Sequence, residues 1–156
     1  MAIELRETQD SDLDVFWRQL TDPRVRRMAA ITRKHHYDRE PFDTHWAKVR
    51  NDPDVLLRTV LADGIVAGHA AVFGPPGARE VTYVIGAEHW GRGIGTGALA
   101  ALVRLEGTRP LHAGAAADNA GSIRVLEKCG FTVTGRDRDF SLERGEEVDV
   151  VLLTLS

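Results

Sequence analysis

Four glycines at every second position, Gly91, Gly93, Gly95 and Gly97, separate a β-branched run ending at Ile85 from an apolar, helix-forming segment. Residues without a Cβ let the backbone approach a ligand closely and adopt conformations that other residues avoid. The first N–H groups of the helix have no intrahelical partner, and the helix dipole adds about half a positive charge there. A phosphate or pyrophosphate suits such a turn. The strand before it carries a carboxylate, Glu80. Period-2 alternation sets Glu80, Thr82 and Val84 on one face and Val81, Tyr83 and Ile85 on the other. A carboxylate in a partly desolvated cleft can take a proton from an amine, directly or through water. Paired instead with Arg79 or another arginine, Glu80 would be an ordinary exposed strand residue.

The glycines contain a literal G-x-G-x-x-A, at Gly93, Gly95 and Ala98, which is the dinucleotide-binding pattern. That pattern belongs directly after the first strand of a βαβ unit, with an acidic residue about 20 positions on. Here it falls past the middle of a 156-residue chain, with too little sequence left for the second half of such a sheet. No Lys-Ser or Lys-Thr pair follows the glycines, so the phosphate loop of nucleoside triphosphatases is excluded.

A second segment follows the helix: a short strand, Pro110 to Ala117, then Asp118-Asn119-Ala120-Gly121-Ser122-Ile123-Arg124-Val125-Leu126-Glu127-Lys128-Cys129-Gly130-Phe131. W-G-R-G-I-G-T followed by N-A-G-S-I-R-V-L-E-K-C-G-F resembles the GNAT superfamily of acyl-CoA-dependent N-acyltransferases. Within it, the resemblance is to the branch of ribosomal-protein N-terminal acetylases and their small-molecule-acetylating relatives. The motifs span Glu80 to Phe131, about a third of the chain. The resemblance implies an acetyl-CoA-dependent enzyme acting on a primary amine, with no metal. It implies a pyrophosphate site over Trp90, Gly91, Arg92, Gly93, Ile94, Gly95, Thr96 and Gly97. It also implies a pantetheine arm lying between two splayed parallel strands, beside Val84, Ile85, Gly86 and Asn119. A backbone N–H near Val84 or Ile85 would stabilise the thioester oxygen, and Ala113 to Ala117 would either leave room for the arm or pack closely against a helix.

Two positions depart from the family pattern. Leu126 stands where many members carry a tyrosine that acts as general acid. Trp90 stands where many carry Gln or Arg. Ser122, in the motif's serine slot, is the replacement donor to the leaving thiolate, or else serves local helix hydrogen bonding. Asn119 either contacts the arm or simply caps its helix. A competing reading is an acyl-CoA-binding regulatory module without catalysis, and a more distant one is a nicotinamide-dependent oxidoreductase.

The elements that must position these residues read as β-α-α-β-β-β-α-β-α-β-β, an α/β fold with a mixed sheet covered by helices on both faces. Expected strands are Ile3–Glu7, Val55–Leu61, Ile65–Phe73, the Glu80 strand, Pro110–Ala117, Phe131–Leu142 and Val148–Leu155. Ser11 is the expected N-cap of a helix through Leu20, and a second helix runs from Pro41 or Phe42 to Arg50. Asp63-Gly64 signals a hairpin. Thr21 to Arg39, with Arg24, Arg26, Arg27, Arg33, Lys34, His35 and His36, shows no clear periodicity. Trp17, Tyr37, Phe42, Trp46 and Tyr83 are candidates for an acceptor cleft or for the core. Asp137, Asp139, Glu143, Glu146 and Glu147 would favour a cationic amine.

Length and a 43% hydrophobic content fit one domain over residues 1–156. No apolar run approaches the ~18 residues of a membrane span, and the charged N terminus does not resemble a signal peptide, so a cytoplasmic protein is expected. One cysteine, Cys129, precludes an internal disulfide; six histidines show no metal-ligand spacing. A net charge of −3 argues against nucleic acid as a partner. Three lysines beside abundant arginine and alanine suggest a bacterium with a GC-rich genome. Edge strands leave a homodimer open.

Overall fold

The computed structural model describes residues 1–28 and 38–156. Seven strands form one sheet in the order β1-β2-β3-β4-β5-β7-β6: β1 Ile3–Arg6, β2 Leu56–Ala62, β3 Ile65–Phe73, β4 Arg79–Ile85, β5 Leu111–Ala116, β6 Thr132–Ser141 and β7 Glu146–Leu155. Five helices are described: α1 Asp12–Leu20, α2 Pro23–Met28, α3 Arg39–Asn51, α4 Ile94–Leu105 and α5 Ala120–Lys128. Asp63 and Gly64, with φ of 49° and 80°, make the turn joining β2 and β3. Two positive φ angles match the twist of antiparallel strands, and Asp-Gly supplies them at low cost.

Two apolar clusters lie on opposite faces of the sheet, as a mixed sheet with helices on both sides requires. Ile94, Ala98, Leu99 and Leu102 of α4 and Leu126 of α5 pack with Val81, Ile85, Leu111 and Leu153 on one face. Phe16 of α1 and Phe42 and Trp46 of α3 pack with Leu57 and Ala71 on the other.

Helix α2 is an addition to the expected order. Its signal is local: Pro23 stands at the first helical position, and the Asp22 carboxylate accepts the Arg24 N–H at 2.9 Å. Six residues are too few to show periodicity, and only Val25 is buried. Ser11 makes no capping hydrogen bond. Asp12 is used there instead: its carboxylate accepts the Gln9 N–H at 2.8 Å, an N–H from each of Nη1 and Nη2 of Arg6, and the Thr59 hydroxyl. Arg33, Lys34, His35, His36 and Tyr37 lie outside the described residues.

Candidate active site

β4 and β5 run parallel but pair only at Arg79–Leu111 and Glu80–His112. Beyond Glu80 the two strands part. β4 stays paired with β3 as far as Gly68–Ile85, and β5 stays paired with β7 as far as Ala116–Val150. The sheet therefore opens into a wedge whose closed end is Glu80 and whose open end faces the glycine turn. Ala113, Ala115 and Ala116 are buried along the β5 side.

The direction of the backbone groups along that wedge follows from the antiparallel partner. Gly86 donates its N–H to Ala67 O at 2.9 Å, while its carbonyl accepts the His89 N–H; so the Gly86 N–H and, two residues back, the polar groups of Val84 turn toward β3. Tyr83 and Ile85 turn theirs toward the gap. The Ile85 carbonyl is taken by the Trp90 indole N–H at 2.8 Å. Of the expected trio Val84, Ile85 and Gly86, only the Ile85 N–H is therefore directed into the wedge, and Tyr83 replaces Val84 and Gly86 as its backbone neighbour. Alternation of bonded and non-bonded residues in an antiparallel pair is the reason.

The glycines divide into two jobs. Gly91 and Gly93 take left-handed conformations, with φ of 74° and 78°, and no atom lies within 4 Å of where a Cβ would stand. That open space, at the first turn of α4, leaves the backbone there accessible to a ligand. A Cβ at Gly95 would touch the Tyr83 ring at 3.5 Å, and one at Gly97 would meet Ile3 at 2.4 Å, so these two serve close packing of α4 on the sheet. Trp90 is 42% exposed and Arg92 is exposed beside the turn. Asn119 caps α5, its side-chain oxygen accepting the Ser122 N–H at 3.2 Å. The Ser122 hydroxyl meets the Tyr83 phenol at 3.0 Å. Leu126, one helical turn further on, is sealed in the core.

Glu80 and Ser122 lie on opposite faces of β4. Glu80 is exposed, opposite Phe73 on β3 and His112 on β5. Arg79 turns away from it, to Glu106 at 3.2 Å and to the carbonyls of Asp54 and Gly74. Beside Glu80 on the same face, His112 Nδ1 is 3.2 Å from the Thr154 hydroxyl.

A cleft of about 1000 Å³ opens on this face, with Thr82, Ala71 and His69 from the sheet, His45, Trp46 and Val49 from α3, and Arg26 from α2 among its lining. His69 is buried between the rings of Phe16 and Trp46, with centroids 4.9 and 4.8 Å away, and its Nδ1 has no hydrogen-bond partner among the described residues. Burial, with a smaller push from His45, lowers its pKa to about 4. Of the aromatic candidates, Trp46 lines the cleft, Phe42 is core, and Trp17 packs edge-on against Phe42. Tyr83 lies on the other face. His69 escaped sequence reading because a histidine within I-V-A-G-H-A-A-V-F looks like a strand residue of either face. The acidic hairpin reaches the cleft's edge through Glu143, 3.0 Å from Arg26. No group of three metal-ligating side chains occurs among the described residues.

The same architecture recurs in solved structures. The spermidine N-acetyltransferase of Vibrio cholerae, in complex with CoA and spermine, superposes with a TM-score of 0.84 at 16% identity over 98% of this chain and 94% of that one. A ribosomal-protein-alanine N-acetyltransferase from Brucella melitensis gives 0.80 at 25% identity over 99% and 98%. The putative acetyltransferase yncA of Salmonella typhimurium, with acetyl-CoA, gives 0.80 at 23% over 100% and 94%. No curated protein sequence matches the chain. The sequence model of the acetyltransferase (GNAT) domain matches residues 2–132, a span that holds the wedge, the glycine turn and the capped helix α5. On that span and that shared architecture, the chain belongs to the GNAT acetyltransferase family.

Proposed function

We propose that this protein moves the acetyl group of acetyl-CoA directly to a primary amine, of a small molecule or of a protein or peptide N terminus, within a ternary complex. The observation that carries this reading is the wedge between β4 and β5, which runs from the Gly91–Gly93 cradle to Glu80. Structures of similar fold that hold CoA with spermine, or acetyl-CoA, support it. Bound there, acetyl-CoA supplies an activated acyl group. The pyrophosphate fits the free N–H groups around Gly91, Gly93 and Ile94, with Arg92 adding charge. The Ile85 N–H faces the place where negative charge would develop on the thioester oxygen.

An amine of pKa near 9–10 is mostly protonated at neutral pH, so attack requires a base. Glu80 is the candidate, at the closed end of the wedge and without an ion-pair partner among the described residues. Ser122 is the hydrogen-bond donor to the leaving thiolate. We take the source to be a bacterium, in line with the arginine-rich, lysine-poor composition and the bacterial origin of the similar structures, and the compartment to be the cytoplasm. Exposed Val133 and Phe140 on the outer strand β6 are a candidate surface for a homodimer.

The test is thiol release from acetyl-CoA across amino acids, polyamines, aminoglycosides and N-terminal peptides, with Glu80→Gln and Ser122→Ala beside the wild type. We expect one acceptor class to turn over, and Glu80→Gln to lower its rate at least about tenfold while leaving CoA affinity unchanged. CoA binding without turnover on any amine would favour the regulatory-module reading.

A further inference from the structure

A thiolate leaves more readily when a donor meets it, and a serine hydroxyl has a single proton to give. In a helix that proton commonly turns back to the carbonyl four residues earlier. At Ser122 the described hydrogen bond of the hydroxyl goes elsewhere, to the Tyr83 phenol 3.0 Å away, joining α5 to β4. Either oxygen of such a pair can donate. A phenol is a far stronger acid than an alkyl hydroxyl, so the favoured arrangement has Tyr83 donating to Ser122 Oγ. The Ser122 proton is then left for another acceptor, and accepting one hydrogen bond strengthens the one that a hydroxyl donates.

The placement of Tyr83 fits that use. Its backbone faces the gap, and its ring lies 3.5 Å from the Cβ position of Gly95, in the first turn of α4. Burial pushes the phenol's pKa up, an effect partly offset by the Ser122 hydroxyl, so the O–H remains protonated through the working pH range. Leu126, one turn along α5, contributes no polar atom.

We propose that Tyr83 is a positioning residue for acyl transfer: its phenol holds the Ser122 hydroxyl so that the serine proton points at the sulfur that leaves. This rests on the acetyl-transfer reading of the same site. No proton changes owner in the step itself; the hydrogen bond from Ser122 stabilises the thiolate, which takes its proton from solvent on release.

The experiment is a double-mutant cycle with Tyr83→Phe, Ser122→Ala and the pair, measuring kcat, KM for acetyl-CoA and CoA affinity on the acceptor found for the wild type. Tyr83→Phe keeps the ring against Gly95 and removes only the O–H. The expected result is a fall in kcat of about tenfold in each single variant, with KM and CoA affinity within about twofold. The double variant should be no slower than Ser122→Ala alone, because the two groups act as one unit. Losses that multiply, or an unchanged kcat in Tyr83→Phe, overturn the proposal while wild-type turnover keeps the acetyl-transfer reading. Wild-type protein that binds CoA and turns over no amine overturns both.

Discussion

His69 shows how one side chain couples the site to stability. It is buried between the rings of Phe16 and Trp46, and burial, with a smaller push from His45, lowers its pKa to about 4 from an ordinary 6.5. The unfolded chain therefore binds a proton between these values that the folded chain refuses, and acidification destabilises the fold across that window. At 1.36 kcal/mol per unit the loss is on the order of 3 kcal/mol by pH 4. Denaturant midpoints measured from pH 7 to 4 should show this slope in the wild type and a flatter one in His69→Leu. An equal slope in both would mean that the imidazole takes up its proton as readily in the folded as in the unfolded chain. Gly68, the residue before it, is a second constraint: a Cβ there would stand 1.9 Å from the Val84 carbonyl oxygen, which fixes how closely β3 and β4 can approach.

At the scale of elements, the turn into α4 does the most with the least sequence. Gly93 is the N-cap of α4 and takes a left-handed φ, a conformation that costs an L residue about 1–2 kcal/mol. Gly93→Ala should lower the melting temperature by about 2–8 °C, and should weaken CoA binding more than that strain alone explains, since the new methyl occupies the cradle. Calorimetry paired with a CoA titration checks both; unchanged CoA affinity would remove the cradle from the cofactor site. Strand β6 is an element of another kind. It is the sheet's outer edge, and the alternation Arg136-Asp137-Arg138-Asp139 places charge along it, with Arg138 reaching Asp149 at 3.3 Å and Glu147 at 3.6 Å. Charges on an edge strand discourage further strands from adding there.

Across the whole molecule, polar ties join parts far apart in sequence. Asp12 links β1 through Arg6, the start of α1, and β2 through Thr59. Burial alone would raise its carboxyl pKa, but Arg6, the Gln9 N–H and Thr59 together bring it below the ordinary value. A depressed carboxyl contributes its stability above about pH 4, the unfolded value, and loses it as the pH falls through the folded value. Acid unfolding should thus begin with His69 and continue with Asp12. Asp12→Asn should cost about 2–3 kcal/mol at neutral pH, read from urea unfolding. At the other end, Arg144 grips Asp118 at 2.6 Å and the Arg27 carbonyl at 3.0 Å, so the β6–β7 hairpin is tied to both α2 and the turn before α5.

Much of this was legible in the chain because its cues are local. Asp63-Gly64 specifies its own turn, Asn119 its own cap, and the alternation along β4 its two faces. The glycine spacing marked the turn, although it could not separate Gly91 and Gly93, which leave a cradle open, from Gly95 and Gly97, which fit against Tyr83 and Ile3. Ser11 looked like a cap as well as Asn119 did; only the Arg6–Asp12–Thr59 cluster, built around a buried Asp12, explains why it is not one. Tertiary structure alone decided which backbone groups of β4 face the gap, because that depends on pairing with β3. It alone brought Tyr83 of β4 to Ser122 of α5, 39 positions along the chain, and set a histidine of β3 beside helix α3. Local propensities act over a few residues, and the site is assembled from contacts between elements whose relative placement is set by packing the two apolar clusters on the sheet.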